Sequence, residues 1–308
     1  MTDRSSVAVL ASRVRTEEKL ILAELRGRGV PVTVIDGRGF VVDLDKPALH
    51  FRGALIREIS HTRGYYGSRL LEHAGVTAVN SSDIIRLCGD KLLTNLALVD
   101  AGVPTPDAVV ALTPAAMLQH LPRFGFPAVV KPLTGSWGRL LARLKEQETA
   151  EAVLEHRQAL PGPQHQITYV QRYVDKPGRD IRGYVFGGEV VGATYRVSGQ
   201  WRTNTARGAE TRPCPATGEL ERLLRAAAVA IGDGALAVDI LEGGDGALLV
   251  NEVNHTPEFH ASVEVLSTRL VSRYVDYVLR RFEEEPAGSA ECGQRPSLLR
   301  VHRISILM

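Results

Sequence analysis

The sequence predicts an α/β lobe followed by a longer α+β region, on three observations. Up to about Cys88, short apolar runs alternate with amphipathic helical stretches across tight glycine turns, the pattern of a parallel sheet covered by helices. From Gly89 a helix leads into a strand, a glycine-containing loop and a returning strand. Beyond Lys176, two long β-like stretches turn back at Gly187–Gly188 and at "GGDG", as hairpins do.

The elements follow in order. "SSVAVLAS" is a short strand, and "RTEEKLILAELRGRGV" a helix with Thr16 as N-cap and Leu20, Ile21 and Leu25 on one face. "VPVTVID", "GALIRE" and "VTAVN" read as three further strands, the last two separated by the helix "TRGYYGSRLLEHAG". "GDKLLTNLALVDAGVPTP" is a helix patterned by Leu92, Leu93, Leu96 and Val99, ended by Gly102 and Pro104. "FPAVVKPL" and "LLARLKEQ" are strands flanking "GSWGR"; "ETAEAVLEHRQAL" is a helix and "QITYVQRYVDKPG" a strand entering a turn. "IRGYVFGGEVVGATYRVS" and "GALAVDILEGGDGALLVNEVN" are hairpins on either side of the helix "ATGELERLLRAAAVAIG". The divisions expected are residues 1–88, 89–175 and 176–282, with a polar, Pro/Gly-rich and flexible tail over 283–308.

Composition narrows the class. The chain has 308 residues, 44% hydrophobic and 23% charged, with a net charge of +2, which is ordinary globular usage and gives no case for nucleic acid. Cys88, Cys214 and Cys292 form no CxxC pair and read as free thiols of a reducing cytoplasm. The apolar run near the N-terminus is too short for a signal peptide or a membrane span, so a soluble cytoplasmic protein is expected. Only 6 of the 37 basic residues are Lys, which draws attention to where each Lys stands.

Chemistry gathers at strand ends. Asp239 ends "ALAVD", and Glu252 and Asn254 end the partner strand of the same hairpin. Residues two apart on a strand share a face, so the three form an oxygen-only set suited to magnesium or, failing that, a polar strand end in solvent. Lys131 ends "AVVK", beside the "GSWGR" loop of Gly135 to Arg139. Two glycines let backbone N–H groups approach an anion, and Trp137 either covers a ligand or packs below. The loop is neither a P-loop nor a dinucleotide fingerprint. Of Arg179, Arg182, Arg196, Arg202 and Arg207, Arg182 and Arg196 lie in β-like segments and are the better oxyanion forks. His61 and His255 fit acid–base work or plain hydrogen-bonded positioning. No nucleophile motif is present.

In this order, "CGDK", "VVKPLTGSWGR", "VQRYVDKPGRDIR", "RTNTARG", "AVDI" and "LVNEVNH" resemble the motifs of ATP-grasp ligases, most closely those of LysX type, over about Val7 to Arg281. The resemblance implies an α/β N-terminal lobe followed by an α+β ATP-grasp fold of two subdomains. It places Lys91 and Lys131 on ATP phosphates, with Gly135, Ser136, Trp137, Gly138 and Arg139 closing over them. Gln171, Arg172, Tyr173 and Val174 become the adenine hinge, and Asp180, Arg182, Arg196 and Asn204 lie near the nucleotide. Asp239, Glu252 and Asn254 become the magnesium ligands. Lys131, Arg196 and Arg207 take catalytic roles, while Arg182, Asn204, His255, Thr256, Glu258, His260, Ala261 and Ser262 face substrate.

The same resemblance implies ATP and magnesium, with two ions and manganese as a substitute. It implies a homo-oligomer, a dimer or tetramer. The reaction activates the C-terminal Glu side chain of a small acidic amino-group carrier protein as an acyl phosphate and joins it to the amine of α-aminoadipate or a related amino acid. Addition of glutamate to a protein C-terminus or joining of small molecules, as in RimK-like ligases, and a non-catalytic ATP-binding regulator are the alternatives. Two departures stand out. Arg172 replaces the usual hinge Glu, and His260 and Ala261 replace a usual Lys-Asn, which leaves glutamate and unusual amino acids open as the amine.

Overall fold

The computed structural model describes residues 5–135, 139–201, 203 and 208–284. Three sheets account for the strands. The first lobe holds β1 (Val7–Leu10), α1 (Thr16–Gly27), β2 (Val32–Ile35), β3 (Gly53–Ile56), α2 (His61–His73), β4 (Ala78–Val79) and α3 (Ser82–Cys88). Its sheet is parallel, in the order β2-β1-β3-β4. The central strands β1 and β3 are buried throughout, as a parallel sheet with covered faces requires. Thr16 is not the cap expected of it. Arg15 occupies that position, and its backbone N–H donates to the Glu18 carboxylate at 2.9 Å. A Glu at the third helical position supplies the capping oxygen.

The middle section contains α4 (Lys91–Asp100), β5 (Ala108–Ala111), α5 (Pro114–Phe124), β6 (Ala128–Lys131), β7 (Ala142–Leu144), α6 (Gln147–Gln158) and β8 (Thr168–Arg172). Its antiparallel sheet runs β5-β8-β6-β7. The α4 helix is where the sequence puts it, capped by the Asp90 carboxylate. Its buried face is different: Thr94 and Leu98 are covered, while Leu96 and Val99 stay 48% and 55% exposed. Periodicity located the helix but not the side that meets its neighbours.

The last section contains β9 (Arg179–Phe186), β10 (Glu189–Val197), β11 (Glu210–Cys214), α7 (Gly218–Ile231), β12 (Ala235–Glu242), β13 (Leu248–Asn254), α8 (His260–Leu266) and α9 (Arg269–Glu283). The sheet order is β11-β10-β9-β12-β13, all antiparallel. Gly187 and Gly188 both take positive φ at the β9–β10 turn, which is why glycine stands there. Asp239 does not end its strand: β12 continues three residues to Glu242. The α9 helix is an element beyond those expected from the sequence, and Leu270, Val271, Tyr274, Val275, Val278 and Phe282 mark its buried stripe. It carries the first residue of the expected tail, Glu283; residues 285–308 lie outside the described region.

The lobes share a core. Ile21, Leu22 and Leu25 of α1 belong to the same apolar cluster as Tyr274, Val275 and Val278 of α9 and Tyr184 and Phe186 of β9. Asn80 fastens the join with polar contacts. Its amide donates to the Ala235 carbonyl and accepts from the Ala235 N–H, both at 2.8 Å, and also reaches the His255 carbonyl. One buried side chain thus ties the end of β4 to the beginning of β12 and the segment after β13. Cys88 and Cys214 are buried free thiols, as expected; Cys292 is outside the described residues.

Candidate active site

A cleft lies between the middle sheet and the last sheet, bordered by residues of both. Its apolar wall is made by Val129, Leu141, Leu241, Tyr173 and Trp201. Gln171, Tyr173 and Val174 line it at the end of β8. The Arg143 guanidinium lies 3.7 Å from the centre of the Tyr173 ring and steadies it through a cation–π contact. Arg172 belongs to this strand end, but its side chain reaches to the Asp107 carboxylate at 3.1 Å and the Phe124 carbonyl at 2.8 Å.

The polar end of the cleft collects the scarce lysines. Lys131 ends β6 and is 7% exposed. Its ammonium donates to Gln171 Oε1 at 2.5 Å and Asn251 Oδ1 at 2.7 Å. Burial pushes its pKa down to about 8, with the Glu252 charge opposing the fall. Lys91 donates to the Gly135 carbonyl at 2.9 Å and stands 3.4 Å from Glu252. Glu252 faces Asp239 directly across the β12–β13 ladder.

Asp239 is clamped. Arg182 forks onto both of its oxygens at 2.8 and 2.9 Å, and Arg196 adds a contact at 3.2 Å. Burial would raise the Asp239 pKa, but Arg182 and Arg196 outweigh it and hold the carboxyl at about 2. Arg196 also donates to Asp180 at 2.6 Å. Asp180 accepts from Thr203 as well, and Lys176 donates to Thr203 at 2.6 Å. A file of alternating charge therefore runs along the cleft floor.

Of the residues singled out from sequence, Lys91, Lys131, Gly135, Arg139, Gln171, Arg172, Tyr173, Asp180, Arg196, Asp239 and Glu252 border this cleft, as does Val174. Arg182 reaches it through Asp239. Asn254 lies two residues beyond Glu252 on the same strand, 3.5 Å from the Ala237 carbonyl. Ser136, Trp137, Gly138, Asn204 and Arg207 lie outside the described residues. The residues read as substrate-facing after Asn254 gather elsewhere, where the first lobe meets the last sheet. The His255 ring sits 5.8 Å from His61 and bonds Thr256 at 2.9 Å; burial first, then the His61 and Arg57 charges, push its pKa down to about 3. Glu258 pairs with Arg15 at 2.7 Å and His260 with Glu17 at 2.5 Å. Ala261 is half-buried, and Ser262 bonds Tyr184 at 2.8 Å and Thr194 at 3.2 Å.

Sequence reasoning gave no role to Lys176, Thr203 or Asn251, all on the cleft wall. Lys176 had a signal, since Lys is scarce here. Asn251 had only its position beside Glu252.

Residues 88–278 match the model of the RimK-like ATP-grasp domain, and residues 7–87 match the LysX preATP-grasp domain. The chain belongs to the RimK-like ATP-grasp family. A glutamate–LysW ligase, ArgX, of Sulfurisphaera tokodaii is 33% identical over 90% of this chain and 99% of its own. An α-aminoadipate–LysW ligase, LysX, of Saccharolobus solfataricus is 34% identical over 82% and 92%. The crystal structure of a RimK-domain ATP-grasp protein from Sphaerobacter thermophilus superposes with a TM-score of 0.74 at 25% identity, covering 88% of this chain and 98% of that one. As a member of this family the chain is an ATP-dependent ligase that forms a C–N bond. ATP-grasp enzymes use ATP and magnesium. Among the described residues no set of three or more His, Cys, Asp or Glu side chains could cage a metal alone. Yet Asp239 and Glu252 stand opposite each other across the β12–β13 ladder, and Glu252 lies beside Lys91. Two hard oxygen donors fit a magnesium ion that takes its remaining ligands from phosphate and water. No helix among the described residues is long and apolar enough to cross a membrane.

Proposed function

We propose that this ligase joins the amino group of an amino acid to the side-chain carboxylate of the C-terminal Glu of a small acidic LysW-like carrier protein, in the cytoplasm, as a dimer or tetramer. The observation that carries the nucleotide half of this reading is the cleft itself. An apolar wall ends in two lysines that face the Asp239–Glu252 pair, the polarity profile of a nucleoside triphosphate. The carrier half rests on relatives that span most of the chain and act, by name, on LysW.

In this reading the Tyr173–Val174 end of β8, with Val129 and Leu241, holds the base. Lys91 and Lys131 hold phosphates, and Asp239 and Glu252, with Asn254 next along β13, hold magnesium. Two ions, or manganese in their place, are part of the proposal. Bound there, magnesium lowers the charge that the phosphate oxygens present to an incoming anion. The carrier carboxylate attacks the terminal phosphorus, ADP leaves, and an acyl phosphate forms. The amine then attacks the acyl carbon, phosphate leaves, and the nitrogen gives up a proton. Both steps gather negative charge on oxygen, so the protein acts by position and fixed cations. Arg196 and Arg182 act together in this scheme. Both keep Asp239 ionised, and Arg196, which lines the cleft, also receives a substrate carboxylate, with Arg182 behind it.

Incubation with a LysW-type carrier, ATP, magnesium and either glutamate or α-aminoadipate tests this reading. Intact mass should rise by one amino-acid residue, with one ADP released. ADP release that never depends on a carrier ending in Glu overturns the carrier assignment, and a ladder of several glutamates would point to RimK-type extension instead.

A further inference from the structure

Lys131 stands where three strands from two sheets converge. It ends β6, Gln171 lies near the end of β8, and Asn251 comes from β13 of the other sheet. An ammonium has three N–H donors. Two are spent here, on Gln171 Oε1 and Asn251 Oδ1. Both acceptors are amide oxygens, which fix direction but carry no net charge. Lys91 is treated differently, since it pairs with a carboxylate, Glu252, at 3.4 Å.

Asn251 reaches Lys131 because of a local irregularity. Asp239 pairs with Glu252, but the next residue, Ile240, pairs with Val250. Asn251 is therefore the extra residue of a β-bulge, the device by which a strand re-aims one side chain. Without the bulge, strict alternation would place Asn251 on the face opposite Glu252. With it, neighbouring residues of one strand address Lys131 and Lys91 respectively.

We propose that Asn251 and Gln171 are the positioning residues of Lys131: their neutral oxygens orient the ammonium so that its third N–H and its whole charge face the nucleotide phosphates. This rests on the reading of Lys131 as a phosphate ligand. The amides are required as amides. A carboxylate of the same shape keeps the hydrogen bond but cancels the charge.

The test compares ATP and adenosine binding by calorimetry in EDTA, which removes any metal the new carboxylates could capture. Asn251→Asp and Gln171→Glu should each lose at least about tenfold in ATP affinity, the scale of one charge-assisted hydrogen bond, and Asn251→Asp, away from the base-binding strand end, should leave adenosine affinity unchanged. Asn251→Ala, which loses one hydrogen bond but keeps the cation, should lose less than either. Wild-type ATP affinity in both carboxylate variants overturns the proposal, as does Asn251→Ala binding worse than Asn251→Asp. Lys131→Ala separates the two layers: if it binds ATP normally, the phosphate role itself fails and the positioning role with it. Gln171 and Asn251 lie on different sheets, so a variant lost to misfolding at one position leaves the other to decide.

Discussion

Asp239 and Glu252 face each other across one ladder, yet their isosteric amides should behave differently. Asp239 is 4% exposed, and its oxygens neutralise two guanidiniums that are themselves 13% and 5% exposed. Asp239→Asn leaves those buried cations short of a counter-charge, a defect that costs about 3–5 kcal/mol. The pKa displacement gives a consistent scale. A carboxyl held at about 2 rather than 3.8 corresponds to about 2 kcal/mol of linked stability. Its folded-state pKa is depressed, so this contribution is fully present above the unfolded-state value near 3.8 and is lost as pH falls toward 2. Glu252 is 27% exposed and meets one ammonium at 3.4 Å, an arrangement worth about 0–1 kcal/mol. Urea unfolding at neutral pH should therefore separate the variants by several kcal/mol, while ADP release is abolished in both. Equal stability in the two variants would refute the reading of Asp239 as the keystone of the arginine clamp. Wild-type turnover in a folded Glu252→Gln variant would refute the metal assignment.

Other outcomes follow from the same geometry. ATP affinity in EDTA should weaken as pH rises through about 8, because burial has brought the Lys131 ammonium down to that value and the neutral amine no longer attracts phosphate; a flat profile from pH 6.5 to 9.5 contradicts it. Arg172→Glu should change the KM for ATP by less than about threefold, since the side chain points to Asp107 and Phe124 in an exposed pair of small worth. Gly53→Ala should destabilise the first lobe by about 1–3 kcal/mol, because the added methyl would lie 2.1 Å from the Phe282 ring in a packed core; an unchanged urea midpoint would mean that α9 does not press on β3 as described.

What the sequence disclosed depended on the range of the interaction that decides each feature. The Gly187–Gly188 and "GGDG" turns were legible because turn conformation is local, and both hairpins formed around them. The buried face of α4 was not legible. Leu96 and Val99 fit the helical period as well as Leu98 does, and only the neighbouring α3, α7 and β13 choose between them. "DILEGG" approaches a turn and so marks Asp239 as a strand end, whereas pairing with β13 extends the strand to Glu242. The α9 stripe from Leu270 to Phe282 is local helical spacing and is legible in the sequence alone. The bulge at Asn251 was not, since a register shift belongs to two strands together and leaves no mark on either alone.

The cleft also shows how buried charge can be kept ready for a ligand of opposite sign. Besides Lys91, which faces Glu252, the cations Lys131, Lys176, Arg182 and Arg196 are mostly or wholly covered around it. Unpaired, each would carry a desolvation penalty that folding cannot easily offset. Arg182 and Arg196 meet it with Asp239 and Asp180, and Lys176 with Asp180 and Thr203. These pairs are stable but largely neutral. Lys131 alone among the four is held by amides, and burial has lowered its pKa to the edge of the physiological range. Its charge is therefore the least compensated of the four and the one that a phosphate would stabilise most. Arriving phosphates would relieve a cost already present in the free protein, so part of the nucleotide's binding energy is set by how Gln171 and Asn251 leave Lys131 oriented but unneutralised.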